Sequence, residues 1–202
     1  MKTKVLRQAS DYKIFALECS KKLNLDYPLE YLMNAKVRAF YNKYGAMIGG
    51  YVLNFNGRFR VIESIPAHVK KDSPWINREV LNNSYEVTGL WLDHRLGDIG
   101  TNFIFWLTMY KDMIMTRRKY LVYAYDLDKT YLKKLYSNLK PKVIFSGKTI
   151  KQVGMHEACE ESIEIASVNH LRLCILYRYD YFLKKLLVPA RKMLRGLKQK
   201  VY

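Results

Sequence analysis

The hydrophobic pattern of the first 65 residues changes period once, from helical to strand-like. Residues 11–25 set Ile14, Leu17 and Leu23 among Lys13, Lys21 and Lys22, which predicts an amphipathic helix with Asp11 as its cap. Residues 37–41 and 46–55 then predict the strands of a hairpin closed by Asn42-Lys43-Tyr44-Gly45. Asn56-Gly57 predicts a tight turn into a third strand over residues 58–65. Pro66 and the 70–74 stretch predict a loop, and Pro74 starts a short helix reaching Leu81.

Residues 85–92 predict a strand, residues 93–100 a polar loop with two glycines, and residues 101–117 a long apolar helix. Arg117, Arg118 and Lys119 close that helix at its negative end. A strand follows over 120–125, then a helix over 129–139, capped by Asp128 and stopped by Pro141. Residues 142–145, 162–166 and 171–177 predict the remaining strands. This order predicts one α/β domain over residues 1–177. Its central sheet is mixed and mostly antiparallel, with a parallel pair in the middle and helices on its flanks.

Composition supports a packed domain: of 202 residues, 50% are hydrophobic and 17 are tyrosine. The 35 Lys and Arg outnumber the 18 Asp and Glu, for a formal charge of +17. Residues 178–202 carry eight basic residues against one acid, with Leu183, Leu186, Leu187, Ala190, Leu194, Leu197 and Val201 at helical spacing. A basic amphipathic tail is expected there, either lying on an anionic membrane surface through residues 183–201 or packing its leucines on the domain. No apolar run reaches bilayer length, and residues 1–5 are followed by no apolar run of the secretory kind, so the expectation is a cytoplasmic protein, membrane-associated at most. Cys19, Cys159 and Cys174 are widely spaced, which predicts no disulfide framework, and no cluster has metal-ligand spacing.

The chemistry concentrates between residues 85 and 144. A strand (85–92) runs through Asp93-His94-Arg95-Leu96-Gly97-Asp98-Ile99-Gly100 into Thr101 and the long helix. A glycine loop at a helix N-terminus aims backbone N–H groups and the positive end of the helix dipole at one point, which suits phosphate or pyrophosphate, with Arg95 adding a charged donor. Further on, Tyr123-Ala124-Tyr125-Asp126 leads into a helix ending Leu135-Tyr136-Ser137-Asn138-Leu139. In this order and spacing, residues 36–146 resemble the GNAT superfamily of acyltransferases.

The resemblance implies a sheet whose fourth and fifth strands diverge in a V that holds an acyl thioester, either acyl-CoA or an acyl-carrier-protein thioester. It implies a carbonyl-polarising backbone N–H at Leu92 or its neighbour Trp91, a general base at Glu86 and a general acid at Tyr136. Arg95, Gly97, Ile99, Gly100 and Thr101 fall in the family's pyrophosphate loop. If Arg95 heads that loop, Gly100 matches and Asp98 stands in for the middle glycine; if His94 heads it, Gly97 matches and Ile99 replaces a small residue. The +17 charge suits an acidic carrier protein through long-range steering. Phe103, Ile104, Phe105 and Trp106 line an acyl tunnel or form the helix's core face. Two other classes stay open. One is an acyltransferase scaffold without catalysis. The other is a basic, tyrosine-rich nucleic-acid module, disfavoured because no RRM, zinc-finger or helix-turn-helix motif is present.

Overall fold

The computed structural model describes residues 1–93, 95–96, 100–155 and 157–177. The basic tail and residues 94 and 97–99 of the glycine loop therefore lie outside the described residues. Seven strands, β1 (Lys2–Val5), β2 (Lys36–Tyr41), β3 (Met47–Asn54), β4 (Ser84–Leu92), β5 (Tyr120–Asp126), β6 (Lys142–Lys148) and β7 (Glu160–Ser167), form one sheet. Their order is β1-β2-β3-β4-β5-β7-β6, and every neighbouring pair is antiparallel except β4 and β5.

Eight helices accompany the sheet among the described residues: α1 (Ala9–Leu23), α2 (Leu29–Met33), α3 (Arg60–Glu63), α4 (Ala67–Asp72), α5 (Arg78–Asn82), α6 (Thr101–Ile114), α7 (Thr130–Tyr136) and α8 (Val168–Tyr177). One sheet face packs Phe40, Tyr51, Tyr85 and Tyr123 against Phe105, Met109 and Met113 of α6 and Leu171 of α8. The other face packs Phe15 and Cys19 of α1 over Val37, Ala39 and Val52, and Ile62 of α3 over Val122, Ile163 and Ile165.

Several sequence expectations change here. The buried stripe of α1 is Tyr12, Phe15 and Cys19, while Ile14 and Leu17 are 52% and 60% exposed. Charges flanked both apolar rows, so the pattern alone did not choose between them. Asp11 does not cap α1; it sits in the first turn and accepts from Lys4 Nζ at 2.7 Å. The expected third strand after Gly57 is α3, because Phe59, Ile62 and Ile65 are buried at a spacing of three rather than two. The 66–72 stretch is helical as α4, and the helix expected at Pro74 begins instead after Asn77, whose Oδ1 accepts from Val80 N at 2.9 Å. The strand expected at 171–177 belongs to α8, whose buried Val168 and Leu171 again lie three apart. Asp128 caps nothing: α7 starts after Lys129 without a side-chain cap.

Two side-chain networks fix α6 and the end of β4. Asp112 of α6 accepts from Arg38 Nε at 2.6 Å, Lys36 Nζ at 3.0 Å and Tyr51 Oη at 2.8 Å, which ties the helix to β2 and β3. Asp93, just past β4, accepts from Lys22 of α1 at 2.7 Å.

Candidate functional site

The parallel strands pair for only three residues. Ser84 faces Tyr120, Tyr85 faces Leu121 and Glu86 faces Val122; beyond that point β4 stays on β3 and β5 stays on β7. A bulge turns β4 away: Gly89 and Leu90 together oppose the single residue Tyr51. Gly89 adopts φ +59°, and a Cβ there would lie 3.1 Å from Val52 Cγ2 and 3.3 Å from the Tyr27 hydroxyl. The result is a fork with Glu86 at its vertex. The V-shaped opening is present.

Backbone alternation decides between the two candidate N–H donors. Asp93 N donates to Ile48 O at 2.8 Å, towards β3. Leu92 is one residue earlier, so its N–H points the opposite way, into the gap, whereas Trp91 shares the direction of Asp93. Of the two candidates, the Leu92 N–H therefore faces the gap and the Trp91 N–H faces β3.

Glu86 is fully buried. Its carboxylate accepts from Tyr31 Oη at 2.5 Å, Asn54 Nδ2 at 3.3 Å and Val61 N at 2.8 Å, so it also caps the short helix α3. Burial pushes its pKa up, against the lowering effect of those donors. Tyr31 is itself pushed well above the phenol range by burial and by the Glu86 charge, so it holds its proton. Arg60 of α3 stacks over the rings of Tyr27 and Tyr31, with 5.0 and 5.6 Å between guanidinium carbon and ring centroid. Tyr27 Oη lies 2.6 Å from Thr88 Oγ1, which anchors this stack to β4 beyond the vertex. Tyr31, Asn54 and Arg60 escaped sequence reasoning because they converge only in three dimensions.

Tyr136 is on the other sheet face. Its ring packs 4.6 Å from Tyr123 and 5.5 Å from Tyr125. Those two hydroxyls donate to the buried Glu164 at 2.7 and 2.9 Å. Burial, reinforced by neighbouring tyrosines and Glu164, raises Tyr136 to about 12, so it stays a proton donor at neutral pH. The two proposed acid–base groups thus flank the fork from opposite sides. They do not touch.

At the loop, Arg95 is largely exposed and its guanidinium bonds Asp93, with Nε and Nη2 at 3.3 and 3.2 Å. The bonds from Arg95 and then Lys22 hold Asp93 well below the usual carboxylate range. Gly97 and Ile99 lie outside the described residues. Gly100 caps α6 at φ +88°, and a Cβ there would meet open space. Thr101 begins α6 buried, and its Oγ1 has no hydrogen-bond partner among the described residues. No acid occupies the first turn. A buried orphan hydroxyl beside the free N–H groups of a helix start fits a phosphate-bearing ligand. Phe103–Trp106 do not act as one lining: Phe105 enters the core, while Ile104 and Trp106 face outward.

No protein-family model matches the chain, and no curated protein matches it in sequence. Solved structures do match. FeeM, an N-acyl amino acid synthase from uncultured soil microbes, superposes with a TM-score of 0.57 at 15% identity, over 85% of this chain and 92% of that one. Arabidopsis thaliana NAA60, solved in complex with acetyl-CoA, gives 0.54 at 9% identity over 83% and 98%. A probable acetyltransferase from Staphylococcus epidermidis gives 0.52 at 11% identity over 82% and 98%. The chain has the GNAT acyltransferase fold. Within that GNAT frame β4 ends at Leu92 on one side of the fork, and the loop that follows leads to the start of α6. Among the described residues no group of His, Cys, Asp and Glu is arranged to hold a metal ion, and no helix is long and apolar enough to cross a membrane.

Proposed function

We propose that the protein is an N-acyltransferase that moves an acyl group from a thioester onto an amine. The observation that carries this reading is the fork itself: β4 and β5 separate after Glu86 and Val122, and Leu92 N–H faces the space between them. The thioester carbonyl lies against that amide, and the amine attacks it directly. The C–N bond forms as the C–S bond breaks, and the departing sulfur takes a proton from Tyr136. The amine's proton passes through the Tyr31 hydroxyl to Glu86, along the 2.5 Å hydrogen bond already in place.

The donor is acyl-CoA or a carrier-bound acyl thioester; both carry a phosphopantetheine arm suited to the orphan Thr101 hydroxyl and the α6 N-terminus. The NAA60 neighbour, solved with acetyl-CoA, supports the first, and the excess of cations, +17 overall, supports the second. The test is thiol release from a panel of acyl-CoA and acyl-carrier donors offered with mixed amines. Amine-dependent release supports the reading. Release no faster than spontaneous hydrolysis for every pair overturns it.

A further inference from the structure

After β6 the chain does not turn straight back into β7; residues 149–155 run over α3 and the link between α1 and α2. Ile150 N donates to Ser64 O at 2.7 Å, Arg60 Nη2 to Val153 O at 2.7 Å, and Asp26 N to Gly154 O at 2.8 Å. Leu25 and Met155 add an antiparallel bridge. The fit at that far end is close: Gly154 holds φ +84°, and a Cβ there would lie 1.7 Å from Asp26 O. Ile150 and Val153 stay 47% and 80% exposed, so backbone contacts, more than apolar burial, hold this strap down.

The strap joins, outside the sheet, the two halves that the fork separates. On one side it returns to β7, where Glu160 O accepts from Leu127 N and Glu161 faces Asp126 at the end of β5. On the other, Asp26 adjoins Tyr27, whose hydroxyl meets Thr88 of β4, two residues past the vertex. Arg60 sits at the crossing, held by the Val153 carbonyl and laid over Tyr27 and Tyr31, whose rings stack 5.7 Å apart. Tyr31 in turn gives its hydroxyl to Glu86. We propose that residues 149–155 are a clasp over the Glu86 side of the fork, and that Arg60 is the positioning residue through which the latched clasp holds Tyr31 against Glu86. A planar guanidinium stacks on rings and bonds a carbonyl in its own plane at once, which an ammonium does not. Released, the clasp frees Arg60 and the proton relay loses its fixed geometry, so transfer is confined to the latched form. This role rests on the acyltransferase reading.

The experiment takes wild type, Gly154→Ala, Arg60→Gln and the double variant, with the acyl donor and amine that wild type turns over fastest. Gly154→Ala drives a methyl group into Asp26 O and unlatches the clasp without touching Tyr31, Glu86 or Arg60. Exchange of the Asp26 amide, read without any substrate, should quicken roughly tenfold or more as its bond to Gly154 O is lost. The kcat should fall roughly 10- to 100-fold, the cost of misplacing a catalytic group by about 1 Å, while donor KM stays near wild type. Because the clasp acts through Arg60, the double variant should lose no more than the worse single variant. Faster Asp26 exchange with kcat unchanged overturns the proposal, as do an Asp26 amide that stays protected and single-variant losses that simply multiply. Absence of transfer in wild type instead overturns the acyltransferase reading and this role with it, while Asp26 exchange still reports the latch. Should Gly154→Ala fail to fold, Arg60→Gln, which removes the Val153 contact, is held to the same exchange and kcat outcomes.

Discussion

Glu86 and Val122 form the last residue pair of the parallel strands, and one of the two is a fully buried carboxylate. Placing a charge at the vertex of a fork is costly unless donors surround it, and Tyr31, Asn54 and Val61 do so. The proposed role of Glu86 as base predicts a pH dependence in a defined direction.

The rate should rise with pH through an apparent pKa above the ordinary glutamate value of 4.5, because the base works only when ionised and burial raises it. Tyr136, held at about 12, should cause no alkaline fall below about pH 10. Stability runs the other way. The folded protein binds the Glu86 proton more tightly than the unfolded chain, so that contribution is complete below 4.5 and is lost as pH rises through the raised value. A kcat/KM profile of wild type against Glu86→Gln checks the first claim; the variant should lose the acidic limb and about 100-fold or more in rate.

Replacing Tyr136 by Phe should slow turnover at least about tenfold while leaving donor affinity close to wild type, since the ring contacts with Tyr123 and Tyr125 survive. Single-turnover kinetics with a titration of donor binding separates the two quantities. An unchanged rate removes Tyr136 as the acid.

Thr101→Val should move affinity and stability in opposite directions. Removing a buried hydroxyl that has no partner stabilises the fold or leaves it unchanged. The same change removes a donor for the phosphate-bearing arm, so donor binding should weaken roughly fivefold or more. Urea melts and donor titrations read both effects in one preparation.

Asp112→Asn should cost about 2–3 kcal/mol at neutral pH, because Arg38, Lys36 and Tyr51 lose a shared charged acceptor. Burial pushes this carboxyl up, but the bonds from those three outweigh it and hold it below its ordinary 3.8. Its stabilising contribution is present above 3.8 and fades as pH falls through the depressed value, so the urea midpoints of variant and wild type should converge in acid.

Much of the frame was legible because it is local. The hairpin of β2 and β3, the strand–loop–helix passage into α6 and the position of β5 follow from turn residues and uninterrupted runs of β-forming or apolar side chains. The resemblance singled out Glu86 and Tyr136 as base and acid, and their positions on opposite sides of the fork came from the structure. What escaped was set by tertiary contacts. Residues 58–65 read as a strand because Val61, Ile62 and Ile65 are β-branched, yet Val61 N–H is satisfied by Glu86, 25 residues away, and a helical turn results. The spacing of Phe59, Ile62 and Ile65 was the available clue. Arg60 carried no sequence signal at all, since its partners Tyr27 and Tyr31 on one side and Val153 on the other come from two stretches far from it in sequence.

The brevity of the parallel pairing has a mechanical consequence. Three residue pairs are the sheet's entire seam between its β1–β4 and β5–β7 halves. A molecule lodged in the gap splices the halves where the backbone leaves them apart, so a bound donor should slow amide exchange on both sides of the seam at once and raise the melting temperature.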